Sequence, residues 1–515
     1  MPTPRPVPAS GGVVRSSTSG VTIAAGATLS LGGTETIESL TNGGTVNLNG
    51  VGANLSTGTA GGTLSGTFAG TGGLSKIGGG TLTLASASTF SYTGATAVNG
   101  GTLAFGKANQ LTGTNAFTLG GGTLDLGAFN QATGTVTYAS GNLTGTTGVL
   151  SATALNVTAS SAVSLDALIG GAGTLSLNGV GGTLTIARAN TSFTGTTTLT
   201  NGTLAFGVDD ALPGAITVNG GTLALGTFSK TGGAITFAGG TITQTSGTFS
   251  PTSLTATNTS GTLNLDVTLS GAGSLTMNGA GGTLSVNGTN TGFAGTTTVT
   301  AGTLKGSTAD AFGTSAITVN GGTFDLNALT LANNVTINTG GTLSGGTFAV
   351  SQLTATGGTV SASLTGAGAL TKTGAGTLTL SAANDFTGGT TINSGTLTFA
   401  NAVDHLADAG AITINTGGTL ALGLRNRTFY YNTPGGGREL YSSPNTWQVN
   451  LITSYRRRIG KRFEFATQVN VENLFNHYTL GTLPNNGSGF TVPANLAVTF
   501  YGQPRMYVWT NSLSF

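Results

Sequence analysis

The chain has 515 residues, a formal net charge of +2, only 6% charged residues, 90 glycines and no cysteine. So little net charge excludes an electrostatic footprint for nucleic acid over the whole chain. It also excludes ordinary disorder, which couples low hydrophobicity to high net charge. The missing cysteines leave no disulfide framework and suit either redox compartment.

In chain order, residues 1–20 carry prolines at 2, 4, 6 and 8 and read as a disordered N-terminal segment. They hold no apolar run of the kind a secretory leader needs, which in an exported protein points to a truncated or misassigned start. No stretch of eighteen apolar residues follows, so no transmembrane helix is expected.

Residues 21–424 are a repeat. A phrase built of a glycine turn, Thr-Leu-x-Leu, an aromatic residue and a Thr/Gly run returns at intervals of roughly a hundred residues. Its aromatic anchors are Tyr92, Phe193, Phe293 and Phe386, each two residues before a glycine. A second marker, Thr123, Thr222, Thr323 and Thr419, keeps nearly the same interval. Within each phrase apolar residues alternate, as at Leu82/Leu84, Leu103/Phe105 and Ile216/Val218, which predicts strands with one buried face. Asn-Gly-Gly at 99–101, 219–221 and 320–322 supplies turns, and threonine fills the outward positions. The Thr-Leu element recurs about every twenty residues, the length of one coil of a parallel β-helix and half that of a propeller blade. The expected fold is therefore all-β, a parallel β-helix (solenoid) of roughly twenty coils.

Charged positions inside the repeat are few. Asp209, Asp210, Asp310, Asp404, His405 and Asp408 share a loop position, but the first copy has Lys107 and Asn109 there and no calcium-binding nonapeptide is present. Asp125 and Asp325 have Ala224 and Ala421 as equivalents, as solvated positions would. Arg188 and His405 lie too far apart in sequence for an obvious acid–base pair. No catalytic, cofactor or metal residue is assigned.

The phrase from Gly368 to Leu397, with its close counterpart at 70–106, resembles the autotransporter-associated β-strand repeat of bacterial passenger regions. The resemblance implies a right-handed parallel β-helix displayed outside a Gram-negative outer membrane, with that membrane and its barrel-assembly machinery as partners.

Residues 425–515 are of another kind: three acidic against nine basic side chains, both tryptophans and seven of the nine tyrosines. Strands are expected from Trp447 to Tyr455, from Phe463 to Val471 and from Tyr507 to Phe515, with a basic turn at Arg456–Arg462. Asn473, Phe475, Pro504, Arg505, Tyr507, Trp509 and Phe515 form a pattern similar to the end of TonB-dependent receptors, which implies an incomplete outer-membrane barrel. Short barrel turns being periplasmic, the turn 456–462 would lie inside and the solenoid outside the cell. The expectation is a non-enzymatic surface protein, a stalk with an adhesive face toward glycans or other cells. A fragment of a TonB-dependent transporter and a β-helical carbohydrate-active enzyme are the alternatives.

Overall fold

The computed structural model describes residues 20–49, 61–111, 116–349, 351–400 and 411–421. It describes 55–60, 427–432, 438–443, 451–459, 463–472 and 506–514 as backbone. The expected disordered segment 1–20 lies outside these residues, save Gly20. Two units are distinguished, Met1–Leu397 with His405–Thr419, and Thr398–Asp404 with Leu420–Phe515.

The first unit is a parallel β-solenoid of about 19 turns, and the described residues contain no helix. Each strand pairs with the strand one coil before and one coil after. Two long ladders result. One runs through Leu74–Lys76, Thr96–Val98 and onward to Ile412–Ile414, the other through Thr81–Leu84, Thr102–Phe105 and onward to Gly418–Ala421. A third side is paired only in patches, at Thr28–Tyr92, Lys230–Ser250 and Thr330–Thr365.

Period-two alternation produces this arrangement directly. In Thr81–Leu84 the burial runs exposed, buried, intermediate, buried, so Leu82 and Leu84 point inward. Leu82 then stacks under Leu103, and Leu103 under Leu124, all three fully buried. Each such leucine contributes roughly 1.5–3 kcal/mol of apolar burial. Because the coils repeat, this narrow core is continuous along the unit.

Turns between the two ladders need glycine for a stated reason. Gly101 (φ 59°) and Gly395 (φ 70°) are left-handed, and a side chain there would run into backbone carbonyls of the preceding coil. One stretch departs from short strands: Gln131–Val157 lacks a Gly-Gly turn and stays extended for 27 residues, pairing into both ladders with register shifts.

The second unit is antiparallel. Arg427–Asn432 pairs with Arg438–Ser443, a hairpin that strict alternation did not single out because Phe429, Tyr430 and Tyr431 are consecutive. Leu451–Ile459, Phe463–Glu472 and Met506–Ser514 form a three-stranded meander. The basic turn expected at Arg456–Arg462 is corrected: Arg456, Arg457 and Arg458 continue the strand opposite Ala466, Phe465 and Glu464. Charge alone does not interrupt an extended backbone, and no proline or glycine stands between Leu451 and Gly460 to do so. Tyr507 and Trp509 sit in the last strand opposite Val471 and Val469. Trp447, Asn473, Phe475, Pro504, Arg505 and Phe515 lie outside the described residues.

Candidate functional site

The aromatic anchors are core residues. Tyr92, Phe193, Phe293 and Phe386 are buried at 2%, 4%, 1% and 1% exposure. Their companion glycines mark a close approach of backbones, since a Cβ on Gly195 or Gly295 would overlap the carbonyl of Gly173 or Gly273 one coil below. Thr123, Thr222 and Thr323 stand on the outer face, in register with Thr102, Thr203 and Thr303. Thr222 and Thr241 hydroxyls are 2.9 Å apart. Thr419, on the last described coil, is exposed.

Beside the anchors lies a set of buried amides that the hydrophobic repeat does not single out. Asn290 Oδ1 accepts from the Leu269 amide at 2.6 Å, and its Nδ2 donates to the Ala311 carbonyl at 2.6 Å. One side chain thereby ties three successive coils. Asn190 does the same with Ile169 and Ala211, and Asn384 accepts from the Leu364 amide. In the first copy, where serine replaces asparagine, Gln110 takes over, donating to Ala85 O and Ser88 Oγ. The signal was legible: an asparagine two or three residues before the aromatic in three of four copies.

Three lysines are also fully buried, Lys76, Lys230 and Lys372. Each is followed by a glycine two residues later and donates to that glycine's carbonyl, Gly78, Gly232 and Gly374. Lys372 Nζ also reaches Thr373 O at 2.7 Å and, one coil on, Ser394 O at 3.0 Å. An ammonium's three donors thus fill a cage of turn carbonyls. Burial pulls all three lysines below their ordinary pKa, the Asp210 carboxylate opposing this at Lys230. Leu177 and Met277 occupy the positions equivalent to Lys76 and Lys372 in the other copies, whereas Lys230 lies on the third side opposite Phe249.

The loop aspartates serve the backbone. Asp210 (φ 47°) accepts from the Thr231 amide and hydroxyl, both at 2.6 Å, and Asp209 from the Ser229 amide at 2.7 Å. Asp125 and Asp325 accept from the amides two residues on, Gly127 and Asn327. Arg188 Nη1 donates to Gly145 O at 2.6 Å. Asp404, His405 and Asp408 are outside the described residues. Among the described residues no group of three His, Cys, Asp or Glu side chains converges to hold a metal ion.

A continuous surface array runs along the first ladder. From Thr198 to Thr413 one outward position of every strand is threonine, twelve in register, and the four-residue strands add a second outward residue that is Ala, Ser, Thr or Gln. No register shift interrupts these pairings, in contrast to the second ladder, where one falls between Ala224 and Gly226. Beyond the strand ends, Asn320, Asn338 and Thr356 form a parallel row, joined by hydrogen bonds of 2.7 and 3.0 Å.

Residues 74–105 and 370–399 match the passenger-associated-transport-repeat family. These are the two segments that contain the caged Lys76 and Lys372. No curated protein and no solved structure matches the chain. Together, the repeat match and the solenoid fit an autotransporter passenger-type repeat protein.

Proposed function

We propose that this chain is a cell-surface protein of Gram-negative type in which the solenoid is a non-enzymatic passenger, a stalk carrying a repetitive binding face. The observation that carries this is the coincidence of the passenger-associated repeat with a solenoid whose described charged groups largely bond backbone. Stacked coils leave few unpaired backbone groups for proteases, and a repeated face offers many weak contacts to glycans or neighbouring cells. The coil is right-handed in this proposal, the hand that parallel crossovers prefer.

Anchoring is assigned to residues 425–515. The meander strands are 9, 10 and 9 residues long and antiparallel. That is the length a tilted strand needs to cross the hydrocarbon layer, about 9–11 residues. On this assignment the barrel-assembly machinery is the partner, and the TonB-dependent-receptor likeness describes the strand type. The transporter alternative requires plug and barrel sequence in the same reading frame.

Protease shaving of intact cells tests the display. Release of solenoid fragments is expected. Retention of all of the repeat inside cells that remain sealed overturns it.

A further inference from the structure

The threonine ladder has three properties that together select a partner. It is periodic, with strands roughly 4.8 Å apart and no bulge between Thr198 and Thr413. Its threonine row is chemically uniform, presenting one hydroxyl and one methyl per coil on side chains that are stiff at χ1, and the outward residues beside that row are small or amide side chains, Ala234, Ser253, Ser274, Thr296, Ala316, Gln352 and Ala369. It is uncharged: among the described residues from Thr196 to Asn415, no charged or aromatic side chain faces outward from these strands or the positions flanking them. The outward charges Asp266, Lys305 and Asp325 stand on the second ladder instead.

A soluble acidic or basic ligand has nothing to pair with on this face. A sugar ring has no aromatic plane to stack on. What the face does complement is an extended, uncharged lattice of hydrogen-bonding groups whose repeat approaches the strand spacing. Ordered water in hexagonal ice is such a lattice, with oxygen rows repeating at close to that interval. Threonine hydroxyls would take the place of lattice oxygens while the intervening methyls hold water in open cages. Each contact is weak, but twelve on one rigid scaffold act together.

We propose that the Thr198–Thr413 face is an ice-binding surface. Its biological setting rests on the surface-display reading, but the binding itself belongs to the purified chain, so either can fail without the other.

The test is partitioning of the fluorescently labelled full chain into a slowly growing ice hemisphere, with crystal shape recorded under a microscope. Three variants accompany it: Thr298→Tyr, which places a bulky ring in mid-ladder; Thr298→Ser, which removes one methyl; and Ala205→Tyr, outward on the second ladder. Circular dichroism and protease resistance verify that each is folded. Incorporation and faceting by the native chain are expected, with a loss of about fivefold or more for Thr298→Tyr, a smaller loss for Thr298→Ser and none for Ala205→Tyr. Incorporation no greater than that of an inert protein of similar size overturns the proposal. So does equal incorporation of native chain and Thr298→Tyr. Retention on crystalline cellulose or chitin that Thr298→Tyr abolishes, without ice incorporation, reassigns the face to glycans.

Discussion

Lys372 Nζ lies 3.0 Å from the carbonyl oxygen of Ser394, a residue of the following coil, at the edge of a mainly apolar core. The cage holds the charge but does not remove the cost of desolvating it. Met277, at the same position of another coil, is equally buried without a charge. Lys372→Met is therefore expected to leave stability unchanged or raise it by about 1 kcal/mol, whereas Lys372→Ala, which opens a cavity, costs about 2 kcal/mol or more. Urea midpoints of the three chains at neutral pH check this.

The same lysine sets a pH dependence. Its folded pKa is lowered by burial from 10.5, so between the two values the unfolded chain binds more protons and stability rises with pH. Tyr92 and Tyr138 act in the opposite sense above pH 10, burial having pushed both up to about 12. Subtracting the Lys372→Met curve from the native one cancels the tyrosines. The native chain is expected to gain stability relative to Lys372→Met as pH approaches 10.5 from below, and a constant difference would count against a buried ammonium.

Asn290 is expected to matter more than any outward threonine. Removing its amide leaves the Leu269 N–H and the Ala311 carbonyl without this partner, each at a cost of about 1–3 kcal/mol. Hydrogen exchange of the Asn290→Ala chain should show faster opening centred on coils 269–311, with little change near Leu103.

Gly295 and Phe293 occupy one packed corner. Phe293→Ala is expected to cost about 3–5 kcal/mol through the cavity it leaves. Gly295→Ala is expected to rival it, although it adds only a methyl, because the Gly273 carbonyl fills that space. Limited proteolysis near 273–295 distinguishes both from the native chain.

The solenoid was legible in the sequence because its core obeys a local rule. Leu82, Leu103 and Leu124 alternate with threonine, and glycines mark the corners. The lysine cages were not, since their partners are main-chain carbonyls of the adjoining turns, and residue type carries no trace of those; of the asparagine ties the sequence shows the recurring asparagine but not the amides one coil away that it holds. Lys76 looks in sequence like a solvated surface residue, and only the position of Gly78 beside it hints otherwise. In the C-terminal segment, the Arg456–Arg458 run reads as a turn but continues the strand, because charge is a poor guide to where an extended chain stops. The hairpin at 427–443 escaped because three adjacent aromatics break the alternation on which strand recognition depends.

Gly171 bridges Phe193, and Gly271 bridges Phe293, in the same parallel geometry a hundred residues apart. Between these two bridges each ladder strand pairs only with the strand one coil before and one coil after, so this stretch has no intrinsic length. Excising residues 171–270 would join Gly170 to Gly271 with each inward leucine meeting its usual counterpart. Such a chain should fold to a solenoid shorter by five coils, measurable by small-angle scattering, with a denaturation profile near that of its parent. Length is then the property most easily changed by duplication or loss of a segment, and the reach of this protein from whatever holds it can be reset in steps of one coil.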